Sequence, residues 1–262
     1  MQFPVYLWLG PWRIHPHLFF ESLAYALAKR LLRSIAFRLV LLNSRKDTIL
    51  ATQRSSVIVG GMVGALLGAK VLVCLQHINL LGQSWQQFLL LLVQGKTVVG
   101  ALLGGLIGVE LTKKMIGVKR STGDAFVYPL IVGTAVGRIG CFLTGLSDRT
   151  YGMATTLPWG VDFGDGIPRH PTQLYEIIFL LGLMIFLKIR SRYPRQEGDL
   201  FKFYMIAYLS FRLLIDFIKP DFHPILGLSA IQIACVLSLL YYHRHISQMF
   251  NFREHHRVAQ QK

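Results

Sequence analysis

Apolar segments long enough to cross a lipid bilayer recur along this chain and limit what it can fold into. A crossing helix takes about 20 apolar residues, and about seven segments approach that length, at residues 15–31, 55–76, 96–113, 124–145, 171–189, 199–218 and 226–243. Hydrophobic residues make up 53% of the 262 residues and charged residues only 16%, which is too apolar for an ordinary soluble domain. The sequence therefore predicts an all-α, polytopic integral membrane protein with about seven transmembrane helices.

One shorter apolar segment, Trp85–Gly95, lies between the second and third predicted spans. At about 10 residues it is too short to cross, so we predict an interfacial or re-entrant helix, with a longer third span as the alternative. The flanking spans carry GGMVGALLGAK, Gly60–Lys70, and GALLGGLIG, Gly100–Gly108, whose regularly spaced small residues favour close helix packing. Lys70 is interpreted either as snorkelling to an interface or as facing a bound anion.

Basic residues cluster after alternate spans and orient the chain in the membrane. The formal net charge is +15, but Lys and Arg are confined to connecting segments, so we expect no nucleic-acid partner. The basic residues that follow the first, third, fifth and seventh spans are Lys29, Arg30, Arg33, Arg38, Arg45, Lys46 and Arg54, then Lys113, Lys114, Lys119 and Arg120, then Lys188, Arg190, Arg192 and Arg195, then Arg244, Arg253, Arg257 and Lys262. Positive charge stays on the cytoplasmic side, so the amino terminus is predicted outside and the carboxyl terminus in the cytoplasm. Residues 146–170 then form an extracytoplasmic cap on a single domain covering 1–262.

Arg138 ends the apolar part of the fourth predicted span and needs a reason to be there. A charge at the bilayer centre costs about 2.5 to 3.5 kcal/mol on insertion scales and usually faces a partner, a cavity or a substrate. The surrounding stretch reads GRIGCFLTGLSDRTYG, Gly137–Gly152, and a second polar block, RHPTQLYE, Arg169–Glu176, opens the next span. A site built on Arg138 is therefore predicted to open toward the outer face of the membrane.

The cysteines and the loop carboxylates do not predict a metal site. Cys74, Cys141 and Cys235 are far apart and inside apolar segments, which argues against a disulfide framework or a CxxC motif. Asp162 and Asp165 lie beside glycines in WGVDFGDG, a pattern more typical of turns than of metal ligands. We therefore expect no metal and no cofactor.

Two motifs carry a resemblance to a known family. The first motif lies in the stretch that begins at Gly137, and its matching residues are Gly137, Arg138, Gly140, Phe142, Gly145 and Gly152. The second motif is RHPTQLYE, and Arg169–Glu176 match it at every position. Similarity continues through LGPWRIHPH near the amino terminus, GALLGAK, GGLIG and FRLLIDF, and so covers nearly the whole chain. The chain resembles the bacterial prolipoprotein diacylglyceryl transferases.

The resemblance implies a reaction, its partners and a location. Such enzymes transfer the diacylglyceryl group of phosphatidylglycerol to the thiol of the lipobox cysteine in a prolipoprotein signal peptide, forming a thioether and releasing glycerol phosphate. It also implies a multi-pass protein of the bacterial cytoplasmic (inner) membrane, with its active site toward the extracytoplasmic face. A cavity open laterally to the lipid bilayer would admit both substrates.

The same resemblance suggests how the leaving phosphate is held. Arg138 and Arg212 are the candidate clamp, because a planar guanidinium gives phosphate bidentate, charge-assisted hydrogen bonds. Asp216 lies four residues after Arg212 and is placed to orient it as an ion pair. A purely structural pair of Arg212 and Asp216 is the alternative.

The acceptor thiol needs a general base or a strong positive field to react. His170 is the leading candidate base, with a hydrogen-bonded turn histidine as the alternative. Tyr175 and Glu176 are placed to orient His170 or Arg169, or else to serve as an interfacial anchor and a helix cap. Gln173, like Arg169, is assigned to substrate binding by its place in the block.

Several signature positions differ from the family pattern. Its asparagines are replaced by Cys141 and Thr144, and its glutamate has no direct match, although Asp148 is close enough to substitute. A family histidine is Leu103 here, and a family tyrosine corresponds most nearly to His17. With Gly152, the residues at Cys141, Thr144 and His17 are candidates for substrate binding, and Asp148 is a candidate catalytic residue.

These substitutions leave more than one functional hypothesis open. In a working variant, His15 and His17 supply the lost imidazole and phenol functions, and Cys141 beside Arg138 is even a candidate nucleophile. A divergent paralogue would act on another phospholipid or another acceptor. A non-catalytic phospholipid-binding membrane protein would use the same arginines to hold a headgroup without chemistry.

Overall fold

The computed structural model describes residues 3–42, 48–79, 84–193, 196–220 and 227–245. Some of the basic residues that predict the membrane orientation lie outside the described residues, namely Arg45, Lys46, Arg195, Arg253, Arg257 and Lys262. The side chains of Arg38 and Arg54 are also outside the description.

The described residues are mostly helical, in agreement with the predicted class. The α-helices are α1 (Pro16–Leu42), α2 (Thr48–Gln76), α3 (Trp85–Gln94), α4 (Val98–Met115), α5 (Val127–Thr144), α6 (Thr172–Arg190), α7 (Asp199–Ile215) and α8 (Ala230–Tyr241). Short 3₁₀ turns precede α5 at Gly123–Phe126 and extend α5 and α7 at Gly145–Asp148 and Asp216–Ile218. The predicted short helix after α2 is present as α3, which begins at the Ser84 cap.

Some of these helices are long and apolar enough to cross a membrane. Within the described ranges three stretches pass on length and composition, namely Ser55–Gln76, Gly123–Asp148 and Thr172–Arg190. A fourth is formed if the segments Trp85–Val93 and Val98–Met115, bent by 65°, make one span. The apolar helix α8 is shorter. A membrane protein with several spanning helices is therefore supported, while the total of about seven stays a prediction.

Helices α2 and α4 approach each other through their glycines. A Cβ atom placed on Gly104 would lie 2.2 Å from the carbonyl oxygen of Gly64, and one on Gly68 would lie 2.3 Å from that of Gly100. No side chain larger than hydrogen fits these positions without moving a backbone. The regular glycine spacing therefore serves packing.

Lys70 has a structural contact at the edge of this helix pair. Its Nζ donates hydrogen bonds to the carbonyl oxygens of Val93, at 2.7 Å, and Gly95, at 2.9 Å. A cation at the C-terminal end of a helix satisfies carbonyls that have no intrahelical partner. Lys70 thus ties α3 to α2, and these contacts favour a packing role over the anion-binding alternative.

The main apolar core lies among α5, α6, α7 and α8. Its most deeply buried members include Ile131, Leu180, Leu187, Tyr204 and Met205. The rings of Phe179 on α6 and Phe211 on α7 stack with centroids 4.3 Å apart. This packing brings together the ends of α5 and α7 and the beginning of α6, where the polar side chains are concentrated.

Two small hairpins complete the described structure. Strands β1 (Leu7–Leu9) and β2 (Trp12–Ile14) form the first, and β3 (Val161–Asp162) and β4 (Pro168–Arg169) form the second, both antiparallel. In the second hairpin, Oδ1 of Asp162 accepts backbone hydrogen bonds from Gly164, Asp165 and Gly166 at 2.8 to 3.1 Å. The expected turn chemistry of this loop is therefore present.

Candidate active site

Glu176 lies between two buried arginines at the centre of the molecule. Its Oε2 is 2.8 Å from Nε of Arg138 and 3.8 Å from Nη1 of Arg212, and its Oε1 accepts a 2.7 Å hydrogen bond from the hydroxyl of Tyr208. The two arginines are 8% and 5% exposed and the glutamate 2%. The two candidate phosphate ligands therefore share the carboxylate of Glu176, and its contacts are with them and with Tyr208.

The predicted pair of Arg212 and Asp216 is also present. Nη2 of Arg212 lies 3.3 Å from Oδ1 of Asp216, one helical turn later in the chain. The other carboxylate oxygen of Asp216 accepts a hydrogen bond from the hydroxyl of Ser229. Ser229 caps the first turn of α8 in a reciprocal arrangement with Gln232. The start of α8 therefore holds the carboxylate of Asp216 in place, and Asp216 in turn orients Arg212.

Arg212 keeps hydrogen-bonding capacity that the surrounding protein does not use. Among the described residues, its buried Nε and Nη1 have no hydrogen-bond partner. Lys219 is also buried, at 8% exposed, and acts electrostatically on Glu176. Arg138, Arg212 and Lys219 thus surround the carboxylate of Glu176, and Arg212 also contacts Asp216. Buried guanidinium donors of this kind suit an anionic ligand.

A second cluster joins the start of α1 to the end of α5. Nδ1 of His17 lies 3.1 Å from Oδ1 of Asp148, and donor atoms of His17, Cys141 and Asp148 all lie within 4.8 Å of one another. Nη1 of Arg138 is 3.8 Å from Sγ of Cys141. Three of the positions that depart from the family pattern, His17, Cys141 and Asp148, are therefore neighbours in space and touch the arginine cluster through Arg138.

Further polar side chains hold this second cluster in place. Oδ2 of Asp148 accepts a 2.6 Å hydrogen bond from the hydroxyl of Thr150. On the other side, Nε2 of His17 lies 3.4 Å from Oε2 of Glu21, and Oε1 of Glu21 is 2.6 Å from Nζ of Lys96. Each polar member of the cluster therefore has a charged or hydroxyl partner behind it.

The block Arg169–Glu176 is connected to this second cluster through Thr150. Nε2 of Gln173 donates to the hydroxyl of Thr150 at 3.0 Å, and the hydroxyl of Thr172 donates to the carbonyl oxygen of Thr150. Gly152 follows closely, and its N–H donates to the carbonyl oxygen of His170 at 2.8 Å. A Cβ on Gly152 would lie 2.7 Å from Cβ of His170, so a glycine is needed for this approach.

His170 and Tyr175 form a third group on the loop side. Nδ1 of His170 is 3.2 Å from the hydroxyl of Tyr175, which accepts a 2.8 Å hydrogen bond from Nε1 of Trp159. Tyr175 is therefore placed to orient His170, as expected. The contacts described for His170 do not include the arginine cluster.

Arg169 is held by the cap loop. Its Nη2 lies 2.5 Å from Oδ2 of Asp165, and its guanidinium carbon lies 5.0 Å from the ring centroid of Tyr151. The hydrogen bond from Arg169 holds the pKa of the exposed Asp165 carboxyl below its usual value. Thr144, by contrast, donates to the carbonyl oxygen of Gly140 in its own helix at 2.7 Å, so its hydroxyl is used within α5.

Sequence reasoning missed several residues that support these groups. They are Tyr208, Ser229, Lys219, Thr150 and Glu21. Only Ser229 carried a readable signal, because Ser229 and Gln232 before an apolar segment form a capping-box pattern. Tyr208 and Glu21 lie in largely apolar stretches of their helices, and nothing local indicates which helix they face.

Comparison with known proteins identifies the family of this chain. The family described as prolipoprotein diacylglyceryl transferase matches residues 4–249. A phosphatidylglycerol–prolipoprotein diacylglyceryl transferase of Bordetella parapertussis is 32% identical over 233 residues, covering 83% of each chain. The chain is also similar to two relatives with the same name. The one from Methylobacillus flagellatus is 31% identical over 84% of this chain and 76% of the relative. The one from Cupriavidus metallidurans is 35% identical over 68% of this chain and 64% of the relative. The chain belongs to the prolipoprotein diacylglyceryl transferase family.

Proposed function

We propose that this protein transfers the diacylglyceryl group of phosphatidylglycerol to the cysteine thiol of a prolipoprotein, with release of glycerol phosphate. The observation that carries the proposal is the buried pair Arg138 and Arg212, which share Glu176 while Arg212 keeps two nitrogen atoms without hydrogen-bond partners among the described residues. The relatives at about 32% identity are named for this reaction.

The arginines act where charge develops during the reaction. The sulfur of the acceptor forms a bond to the terminal glyceryl carbon of the lipid, and the bond from that carbon to the phosphate oxygen breaks. The bonding electrons leave with the oxygen, so the departing glycerol phosphate gains negative charge. Arg138 and Arg212 stabilise that charge, and they do so most strongly in a site shielded from water.

We assign the proton of the acceptor thiol to His170. Its ring is oriented by Tyr175, which is itself held by Trp159. A histidine is suited to accept a proton near neutral pH. Asp148 is the second candidate, but its two oxygen atoms already contact His17 and Thr150, so it is less available to accept the proton.

The proposal places the reaction at the outer face of the bacterial cytoplasmic membrane. We infer about seven spans, an outside amino terminus and a cytoplasmic carboxyl terminus from the basic residues after alternate spans. Residues 146–170 then form the extracytoplasmic cap, and the signal peptide of the acceptor enters from the bilayer. The whole chain acts as a single domain.

The test uses the purified protein in vesicles containing phosphatidylglycerol, with a lipobox peptide as acceptor. Glycerol phosphate release and peptide mass are followed together. Arg212→Lys keeps the charge but removes the planar fork, and we expect transfer to fall by about 100-fold. The matched control is Arg120→Lys, which changes an exposed arginine paired with Glu197 and should leave the rate unchanged.

The outcomes separate the competing functions. A lipid-sized gain in peptide mass, matched by glycerol phosphate, supports the transferase. Glycerol phosphate release without a change in peptide mass indicates hydrolysis or another acceptor. Lipid binding by a folded protein without either product favours the non-catalytic alternative, and equal rates for the two lysine variants would contradict the role given to Arg212.

A further inference from the structure

We propose that His17, Cys141 and Asp148 form a binding site for one divalent transition-metal ion, with Zn²⁺ as the best fit. These residues supply an imidazole nitrogen, a thiolate sulfur and a carboxylate oxygen, which are the donor types that Zn²⁺ takes in proteins. They come from the first turn of α1, the end of α5 and the 3₁₀ turn that follows it. The sequence did not indicate this site, because the histidine is remote from the other two.

The donor atoms lie close enough together to converge on one tetrahedral ion. Bond lengths of about 2.0 to 2.3 Å place neighbouring tetrahedral ligands about 3.3 to 3.6 Å apart. Nδ1 of His17 and Oδ1 of Asp148 are 3.1 Å apart, and all the donor atoms, including Sγ of Cys141, lie within 4.8 Å of one another. Small side-chain adjustments therefore bring the three donors onto one ion.

Nδ1 of His17 faces Oδ1 of Asp148 from a buried position. Although the two atoms are close, Nδ1 is buried and has no hydrogen-bond partner of acceptable geometry among the described residues. A ring nitrogen and a carboxylate oxygen at this separation can both bind one ion, because tetrahedral ligands lie at a similar distance from each other.

The residues behind the cluster match the outer shell of metal sites. Metal-bound histidines usually donate their second ring N–H to a carboxylate, which fixes the ring and its tautomer. Here Nε2 of His17 lies 3.4 Å from Glu21, which is held by Lys96. Asp148 is in turn fixed by the hydroxyl of Thr150, so both ligands have the supporting contacts that a bound metal requires.

The charges of the cluster are also compatible with a dication. A thiolate at Cys141 and a carboxylate at Asp148 balance the two charges of Zn²⁺. Arg138, which lies 3.8 Å from the sulfur, has its Nε 2.8 Å from Oε2 of Glu176, and this carboxylate weakens its repulsion of the ion.

A role for the metal follows if the proposed function holds. Three protein ligands leave a fourth position open, as in catalytic zinc sites, and a thiol bound there is deprotonated. The acceptor cysteine would lose its proton to His170 and bind the metal as a thiolate. Arg138, which contacts Cys141, would then lie between this thiolate and the phosphate of the lipid. The metal site itself rests only on the cluster geometry.

The experiment measures metal binding directly. Protein without a polyhistidine tag is purified in detergent, treated with a chelator, and loaded with Zn²⁺ or with Co²⁺ as a spectroscopic probe. We expect one ion per chain and a thiolate-to-cobalt charge-transfer absorption. Cys141→Ser should abolish that absorption, whereas Cys74→Ser, which changes a cysteine outside the cluster, should keep it.

Two further variants test the other parts of the site. His17→Asn should remove stoichiometric binding, and Glu21→Gln should weaken the affinity for the ion by about 10- to 100-fold through loss of support for the ring. Gel filtration and circular dichroism check that each variant remains folded. Absence of uptake by the wild-type protein, or equal uptake by wild type and Cys141→Ser, would overturn the proposal.

Binding and transfer are scored separately. A protein that binds one ion through Cys141 but transfers no lipid keeps the metal site and refutes the proposed function. A protein that transfers lipid at full rate after complete metal removal refutes the role given to the metal in the reaction and keeps the proposed function. Addition of a lipobox peptide should change the cobalt spectrum, and the same peptide with serine in place of cysteine should not.

Discussion

Replacing Glu176 with glutamine tests the electrostatic basis of the arginine cluster. The amide preserves the shape of the side chain and an acceptor for Tyr208, but it removes the negative charge shared by Arg138 and Arg212. Both guanidinium groups are nearly fully buried and would lose this counter-ion together. Removing one partner of a buried ion pair costs about 3 to 5 kcal/mol, which corresponds to about a hundred-fold to several thousand-fold in the unfolding equilibrium.

The assay is reversible unfolding in mixed micelles of dodecylmaltoside and dodecyl sulfate, followed by circular dichroism. The matched control is Glu197→Gln, which removes the same charge from an exposed ion pair with Arg120 at 2.9 Å and should cost about 0 to 1 kcal/mol. A free energy of unfolding for Glu176→Gln within 1 kcal/mol of the control would refute the view that Glu176 is the shared counter-ion.

Two other perturbations follow from the structure. Gly104→Ala should destabilise the protein by about 1 to 3 kcal/mol, because its Cβ would meet the backbone of Gly64, whereas Gly182→Ala, with open space around it, should be neutral or stabilising by about 0.5 to 1 kcal/mol; the same unfolding assay compares them, and equal effects would contradict the close packing of α2 and α4. The Arg169 guanidinium lowers the pKa of Asp165, so their contact contributes stability above the usual pKa of aspartate and is lost as the pH falls through the lowered value. Arg169→Gln should raise the pKa of Asp165 in a carboxyl ¹³C titration, and an unchanged titration would rule out this pairing.

The candidate site was only partly readable from the sequence. Arg138 and Arg212 were recognisable because a charge in an apolar segment stands out and because the motifs around them match a family. The pair of Arg212 and Asp216 followed from helical spacing alone. Glu176 was noticed for its motif, but its contacts with Arg138 on α5 and Arg212 on α7 were not expected, and a part in orienting His170 or Arg169 stays a prediction.

The substituted positions were harder to interpret. His17, Cys141 and Asp148 were each recognised as departures from the family pattern, and Asp148 was expected to replace a missing glutamate. Their meeting around one point depends on how α1 packs beside α5, where Cβ of Phe20 lies against Gly140. No local pattern in either segment specifies that register.

The sequence by itself determined the class of the protein, its family and the identity of the charged groups. Those properties follow from local composition, from spacing along single helices and from contiguous motifs. Only the tertiary structure decided that one carboxylate, Glu176, serves two arginines, and that a histidine at the start of α1 meets the cysteine and aspartate at the end of α5. The physical reason is that apolar helices pack in many rotations of similar energy, and the polar contacts that select one of them join residues far apart in the chain.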